Sequence, residues 1–272
     1  MTGHKKFSVN INQSTLHPIT YISYSQIQSF SICPLHYKIQ YILKVPAALA
    51  PSLSFGSSIH AALKDFYQKS LESKMQKIED IIPILEEKWT DEGYENKAHQ
   101  KEALERATYI LLQYLRNNFV PDIANIKPIA VEIPFSFFIK RSSINQIPLK
   151  VAGRIDRVDR IGSNKIEIID YKTGRNIPNE KQLSNNLQMT VYAMAATLVN
   201  DNIFNKNPED IILSLHYLEE EKKLTTTRTA GQLEEAKTRI LEIVGKIEKS
   251  DFLCSGSTYC QNCEYKMLCN VS

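Results

Sequence analysis

Residues 151–174 read "VAGRIDRVDRIGSNKIEIIDYKTG" and hold the side chains best suited to chemistry in this sequence. Residues two apart in a strand share a face, so Ile166, Ile168, Asp170 and Lys172 point the same way. A face that begins apolar and ends in a carboxylate and an amine is uncommon, because buried charge is costly unless it is paired or bound to metal. The preceding strand brings Asp156 from the facing half of the same hairpin. Two carboxylates and a lysine at adjacent strand ends suit Mg²⁺ or Mn²⁺ held beside a catalytic cation. Taken alone, a D-x-K is also what a surface ion pair looks like, and such a pair contributes about 0–1 kcal/mol.

A second constellation lies at the end of the chain, in "YCQNCEYKMLCNVS". Cys260, Cys263 and Cys269 are spaced C-x2-C-x5-C, which resembles part of a metal site, and a closed thiolate site needs a fourth ligand. The opening "MTGHKKFSVNINQST" is polar, without the apolar core of a secretory leader. No run approaches the roughly 18 apolar residues of a membrane span. The expectation is therefore a soluble, cytoplasmic protein, where clustered cysteines more often bind metal than pair, and five is an odd number to pair.

The chain has 272 residues, enough to bury a sizeable core, and its 43% hydrophobic and 23% charged residues are ordinary for a globular protein. A net charge of +3 does not by itself argue for nucleic acid, so any basic surface must be local. Lys150, Arg154, Arg157, Arg160, Lys165, Arg175 and Lys181 supply such a concentration. They either contact phosphates or balance Asp159, Glu167 and Glu180 on a solvated face.

These residues must be positioned by regular elements. "SYSQIQSFSICPLHYKIQYIL" reads as a helix capped by Ser23 or Ser25, followed by a second beginning at Pro34. "SFGSSIHAALKDFYQKSL" is a helix with Ile59, Leu63 and Phe66 on one face, and two more follow near 78–90 and 98–119. "IAVEIPFSFFIK", "LKVAGRIDRVDR" and "KIEIIDYKT" are strands, the last two joined by a turn at 161–164. The polar stretch 174–186 leads into the apolar helix "LQMTVYAMAATLV" and is a candidate substrate rim. A hairpin near 210–229 and an amphipathic helix from about 230 precede the cysteines. The expectation is one mixed α/β domain over 1–272, with a helical part at about 23–120, a core at about 128–220 and a terminal helix and tail at about 230–272.

The hairpin "GRIDRVD…IIDYKTG" resembles the core of the PD-(D/E)XK nuclease superfamily, and specifically its RecB-like branch. The resemblance implies a restriction-endonuclease-like fold: a mixed central sheet flanked by helices, with an N-terminal helical insertion. In that branch the metal is held by residues matching Asp156 and Asp170, with Lys172 following, by the backbone carbonyl of Tyr171, and by a helix histidine matching His60 in "GSSIH". A Q-x-x-x-Y helix follows, here Gln188 and Tyr192, one turn apart on one face. Here Ile155 stands where the superfamily's naming proline would be. Glu132 is either a further metal-site residue or a solvated side chain, and Tyr192 either stacks on a base or packs.

Some RecB-like nucleases, including AddB-type proteins and the CRISPR-adaptation exonucleases, bind a [4Fe–4S] cluster through three C-terminal cysteines and one far upstream. Carried over, the ligands are Cys33, Cys260, Cys263 and Cys269, joining the N- and C-terminal regions. The competing closure is a Zn²⁺ site of Cys254, Cys260, Cys263 and Cys269. The implied function is a metal-dependent exonuclease acting on single-stranded DNA ends, in repair, recombination or CRISPR adaptation, with Arg154, Arg157, Arg175 and Lys181 toward the nucleic acid. The alternative is a DNA-end-binding or scaffold component of a helicase or integrase complex. No G-x-x-x-x-G-K-[ST] loop occurs, so any motor would be a partner.

Overall fold

The structure, a computed structural model, describes residues 18–47, 49–72, 77–119, 126–141 and 146–269, without the side chains of 126 and 127. Its frame is a six-stranded mixed sheet: β1 (Tyr21–Ile22), β2 (Ile126–Ile139), β3 (Leu149–Ile161), β4 (Lys165–Lys172), β5 (Ile211–Tyr217) and β6 (Lys222–Thr226). The expected hairpins are present, β3 antiparallel to β4 and β5 antiparallel to β6, while β4 and β5 run parallel. A parallel pair requires a crossover, and the chain supplies it through α6 (Glu180–Ser184) and α7 (Leu187–Leu198).

Both faces of the sheet are covered, so β4 is buried almost throughout, the charged Glu167 and Asp170 included. Its alternation nevertheless sorts the two cores. Ile166 and Ile168 join the core beneath α1 (Tyr24–Ile32), α7 and α8 (Ala230–Glu248). Ile169 and Tyr171 join the core formed with α3 (Pro51–Leu71), α4 (Ile81–Lys88) and α5 (Lys97–Asn118). α7 is apolar nearly all round and correspondingly buried, whereas α8 buries one stripe, Leu233, Ala236, Ile240, Val244 and Ile247.

Local signals set several boundaries. Ser23 caps α1 in a reciprocal pair with Gln26, and Pro34 opens the short α2 (Pro34–Tyr37), as its fixed φ and missing N–H favour. The turn after β3 contains Gly162 at φ 59°. α3 begins at Pro51, three residues before its expected start, because Pro51 serves as the first-turn residue. The two-residue β1 was not expected; it lies parallel to Lys150 and Val151 of β3. Among the described residues no helix is long and apolar enough to cross a membrane.

Candidate functional site

The site begins with an unequal pairing of β3. On one edge, β2 accompanies β3 along its whole length. On the other, β1 pairs only with Lys150 and Val151, and β4 only with residues 157–161. Residues 152–156 therefore have no strand partner on that edge, and Asp156 stands where the β3–β4 ladder stops. Its Oδ2 accepts the Tyr171 N–H at 2.9 Å, satisfying a backbone donor that the diverging strands leave unpaired.

Asp170 follows on β4 and is 3% exposed. Its Oδ1 accepts from Gln188 Nε2 at 2.8 Å and from the Tyr192 hydroxyl at 3.0 Å. Oδ2 lies 2.6 Å from Lys172 Nζ but accepts no aligned hydrogen bond among the described residues. Gln188 completes the ring: its Oε1 accepts from Lys172 Nζ at 3.1 Å and its Nε2 also reaches the Tyr192 oxygen at 3.0 Å. The i, i+4 spacing on α7 thus presents an amide and a phenol to one carboxylate. Burial, opposed by Lys172 and reinforced by Asp156, raises the Asp170 pKa above its ordinary value. Burial works against charging Lys172, but Asp170 outweighs it and the lysine pKa is raised.

α3 supplies His60, whose Nδ1 is 3.3 Å from Asp156 Oδ2. Burial again opposes the charge, and the neighbouring Asp156 and Asp170 carboxylates raise the pKa in spite of it. Small residues let α3 come this close: a Cβ on Gly56 would lie 3.1 Å from Thr173 Oγ1, and the buried Ser58 hydroxyl accepts the Thr90 N–H at 2.9 Å. Glu132 joins them from β2, so that ligand atoms of His60, Glu132 and Asp156 lie within 4.8 Å of one another. Its φ of 47° is a left-handed conformation unusual for a non-glycine strand residue. Burial, with Asp156 nearby, raises its pKa. The imidazole of His60 and the carboxylates of Glu132 and Asp156 form a mostly hard oxygen set with one nitrogen, which fits a divalent cation, and the Asp170–Lys172 ion pair stands on the adjoining strand.

The basic candidates separate. Arg154 is exposed, 3.5 Å from Glu132, and Lys181 is exposed on α6. Arg175 is exposed but bound to Glu219, at the mouth of an open groove lined by Asn176, Ile177, Pro178, Gln182 and Asn186. Arg157 does not reach the surface: it is 5% exposed, forked onto Asp159 at 2.5 and 2.6 Å and set over the Tyr67 ring at 4.0 Å. It lies on the other face of β3 from Asp156, so the expectation of a nucleic-acid contact is corrected to a buried ion pair. Tyr192 is likewise packed, edge-on to Phe135 at 6.0 Å with its hydroxyl on Asp170, and does not offer a stacking face. Two contributors were not singled out from sequence. Gly153 passes beneath Phe135, where a Cβ would meet the ring at 2.7 Å. Buried Arg228 ties the approach to α7, donating to Leu183 and Asn186 carbonyls and to Thr190 Oγ1.

All five cysteines line one cavity of about 200 Å³ between the α1–α2 junction and the tail. Cys33 is fixed between two helices, its N–H bonded to the Ser29 carbonyl, and its Sγ accepts the Ser255 N–H at 3.4 Å. Cys254 Sγ and Cys260 Sγ are 3.7 Å apart. Burial pushes Cys269 up to about 11 and raises Cys263. Contacts other than sulfur join the same regions: His36 bridges Ser29 and Glu264 at 2.8 and 3.0 Å, and the Tyr265 hydroxyl donates to the Val45 carbonyl. A pocket walled by thiols fits a thiophilic centre, iron–sulfur or zinc, and contains both expected ligand sets.

Residues 21–270 match the PD-(D/E)XK nuclease superfamily, a span that contains the strand hairpin, His60 and all five cysteines. Among curated proteins the chain is similar to an ATP-dependent helicase/deoxyribonuclease subunit of Carboxydothermus hydrogenoformans, 25% identical over 231 residues, which cover 76% of this chain and 21% of that protein. It is similar to the like-named protein of Clostridium botulinum, 27% identical over 186 residues, 56% of this chain and 15% of the other. A third, from Caldanaerobacter subterraneus, is 28% identical over 183 residues, again 56% and 15%. The chain thus spans about a fifth or less of the length of these relatives. With the expected sheet and a match over nearly its whole length, the chain belongs to the PD-(D/E)XK nuclease superfamily.

Proposed function

We propose that this protein is a divalent-metal-dependent DNA exonuclease acting on single-stranded ends in repair or recombination. The observation that carries the reading is the gathering of Asp156, Asp170, Lys172 and His60 at the splayed end of β3 and β4, with a buried carboxylate oxygen that no aligned donor satisfies. His60, Asp156, Asp170 and the Tyr171 carbonyl would hold the cation, with Glu132 beside them. A bound Mg²⁺ or Mn²⁺ supplies Lewis-acid charge and lowers the pKa of the water it carries. Lys172 would orient the attacking water or neutralise charge growing on the phosphate, and Gln188 fixes Lys172 and Asp170 relative to each other. Because imidazole is softer than carboxylate, Mn²⁺ should serve as well as Mg²⁺; turnover with Mg²⁺ alone would count against His60 as a ligand.

The relatives' shared name, helicase/deoxyribonuclease, supports DNA as substrate and favours a helicase partner over an integrase. The thiol cavity is read as a [4Fe–4S] site of Cys33, Cys260, Cys263 and Cys269, which ties the ends of the chain around the core.

The test is degradation of 5′- and 3′-labelled single-stranded DNA with Mg²⁺ or Mn²⁺ by anaerobically purified protein, beside Asp170→Ala and Lys172→Ala. Wild type should degrade the strand, and each variant should lose about 10³-fold or more, as removal of several kcal/mol of transition-state stabilisation requires. Tight binding by all three without cleavage would replace the enzyme by a DNA-end-binding scaffold.

A further inference from the structure

Five thiols line a cavity in which a four-thiolate centre uses four, so one sulfur in its wall is surplus. On the reading above, that sulfur is Cys254, and it touches two ligands: its Sγ is 3.7 Å from that of Cys260 and is hydrogen-bonded to Cys269, and only Cys260 shares with it the short irregular segment that can close. We propose that Cys254 and Cys260 form a reversible disulfide when the cavity is without metal and a peroxide reaches it. The inference rests on the reading of the cavity as a metal site.

The local chain permits the closure. A disulfide needs the sulfurs at about 2.05 Å, so the pair must approach further, and the backbone between them can give. Residues 251–257 carry no regular secondary structure, and Gly256 adopts φ 61° with open space where a Cβ would stand. Cys33, by contrast, is buried between two helices and cannot follow. Cys254 and Cys260 are each partly exposed, so a small oxidant has access to them.

The reaction balances as two thiols and one hydrogen peroxide giving one disulfide and two waters. Two S–H bonds and the O–O bond break, one S–S bond forms, the sulfurs are oxidised and the peroxide reduced, and both thiol protons leave in the waters. The product withdraws Cys260 and leaves Cys33, Cys263 and Cys269, one thiolate short of a closed site. Disulfide and metal centre therefore exclude each other. The disulfide also keeps Cys260 from advancing to sulfinic acid, a step that a thiol reductant does not reverse.

The test uses the full chain stripped of metal, given one equivalent of hydrogen peroxide, alkylated and mapped by peptide mass. The Cys254–Cys260 disulfide should exceed any other pairing by about tenfold or more, and thiol treatment should then restore iron or zinc uptake. Cys254→Ser should bind metal like wild type before oxidation. After it, the variant should accumulate sulfinic and sulfonic acid on Cys260 and recover less than half the wild-type metal content. A dominant pairing other than Cys254–Cys260, or equal metal recovery by the variant, overturns the proposal. If the disulfide forms in a chain that takes up neither iron nor zinc, the disulfide stands and the metal reading of the cavity falls. If four-thiolate metal binds but the disulfide does not form, the reverse holds.

Discussion

Asp170 meets a lysine, an amide and a phenol at once, and its buried Oδ2 still lacks an aligned donor. A buried carboxylate is costly unless it is paired, and Lys172 is its pair here, at 2.6 Å. The arginines show how differently one residue type can be used. Arg157→Ala should cost about 3–5 kcal/mol in denaturant unfolding, because it leaves Asp159 charged and buried without its partner. Arg154→Ala removes an exposed cation, so it should leave unfolding unchanged and lower the salt slope of DNA binding by about 1. His216 lies among the second core, 4% exposed, and burial with Lys223 and Arg157 nearby lowers its pKa to about 4. Since the unfolded chain takes up this proton near 6.5, the contribution of neutral His216 is whole above that pH and lost as pH falls toward 4. Over that window stability should fall by about 3 kcal/mol, and His216→Phe should flatten the profile, as read by urea unfolding between pH 7 and 4.

At the scale of elements, the central device is that β3 is too long for its partners on one edge. β4 and β1 take its two ends and leave a notch between them, and the notch carries Asp156. The strand behind the notch is held by a ring seated on a glycine. Gly153→Ala should destabilise by about 1–3 kcal/mol, as overpacking does, because the new methyl meets Phe135 at 2.7 Å. Gly153→Ala with Phe135→Leu should recover part of that loss; no recovery in thermal unfolding would mean that the backbone, not the ring, enforces the glycine.

For the whole molecule, the thiol cavity joins residues more than two hundred positions apart. A centre bound through Cys33 and the tail would close a loop of about 230 residues, a constraint of around 5 kcal/mol on the chain-entropy argument. Cys33→Ser should therefore lower the thermal midpoint of metal-loaded protein far more than that of metal-stripped protein. Equal midpoints in the loaded state would favour the closure through Cys254. The His36–Glu264 and Tyr265–Val45 contacts should keep the tail docked in the variant, loaded or stripped, since neither depends on sulfur.

Legible in the sequence were the strands from β2 to β6 and their hairpins, a cap at Ser23 or Ser25, the helix start at Pro34 and the face shared by Asp170 and Lys172, while His60, Gln188 and Tyr192 were legible through the family resemblance. The elements are written in short-range pattern, alternation or a capping side chain, and the resemblance adds the site residues outside the hairpin. Tertiary structure decided what such patterns do not contain. β1 is two residues long and has no period; it exists because β3 offers it an edge. Arg154 and Arg157 look alike in sequence, but strand pairing and the helices stacked on each face send one to water and the other into a ring of tyrosines. Between the two readings the sequence left for Glu132, its backbone conformation and the approach of α3 select the one beside His60 and Asp156, while Arg228 anchors α7 across 38 residues with no nearby signal. The five cysteines are countable in the sequence, yet only the packing of the tail against the α1–α2 junction brings Cys33 and Cys254 into the same wall, because non-local contact is fixed by burial and not by spacing.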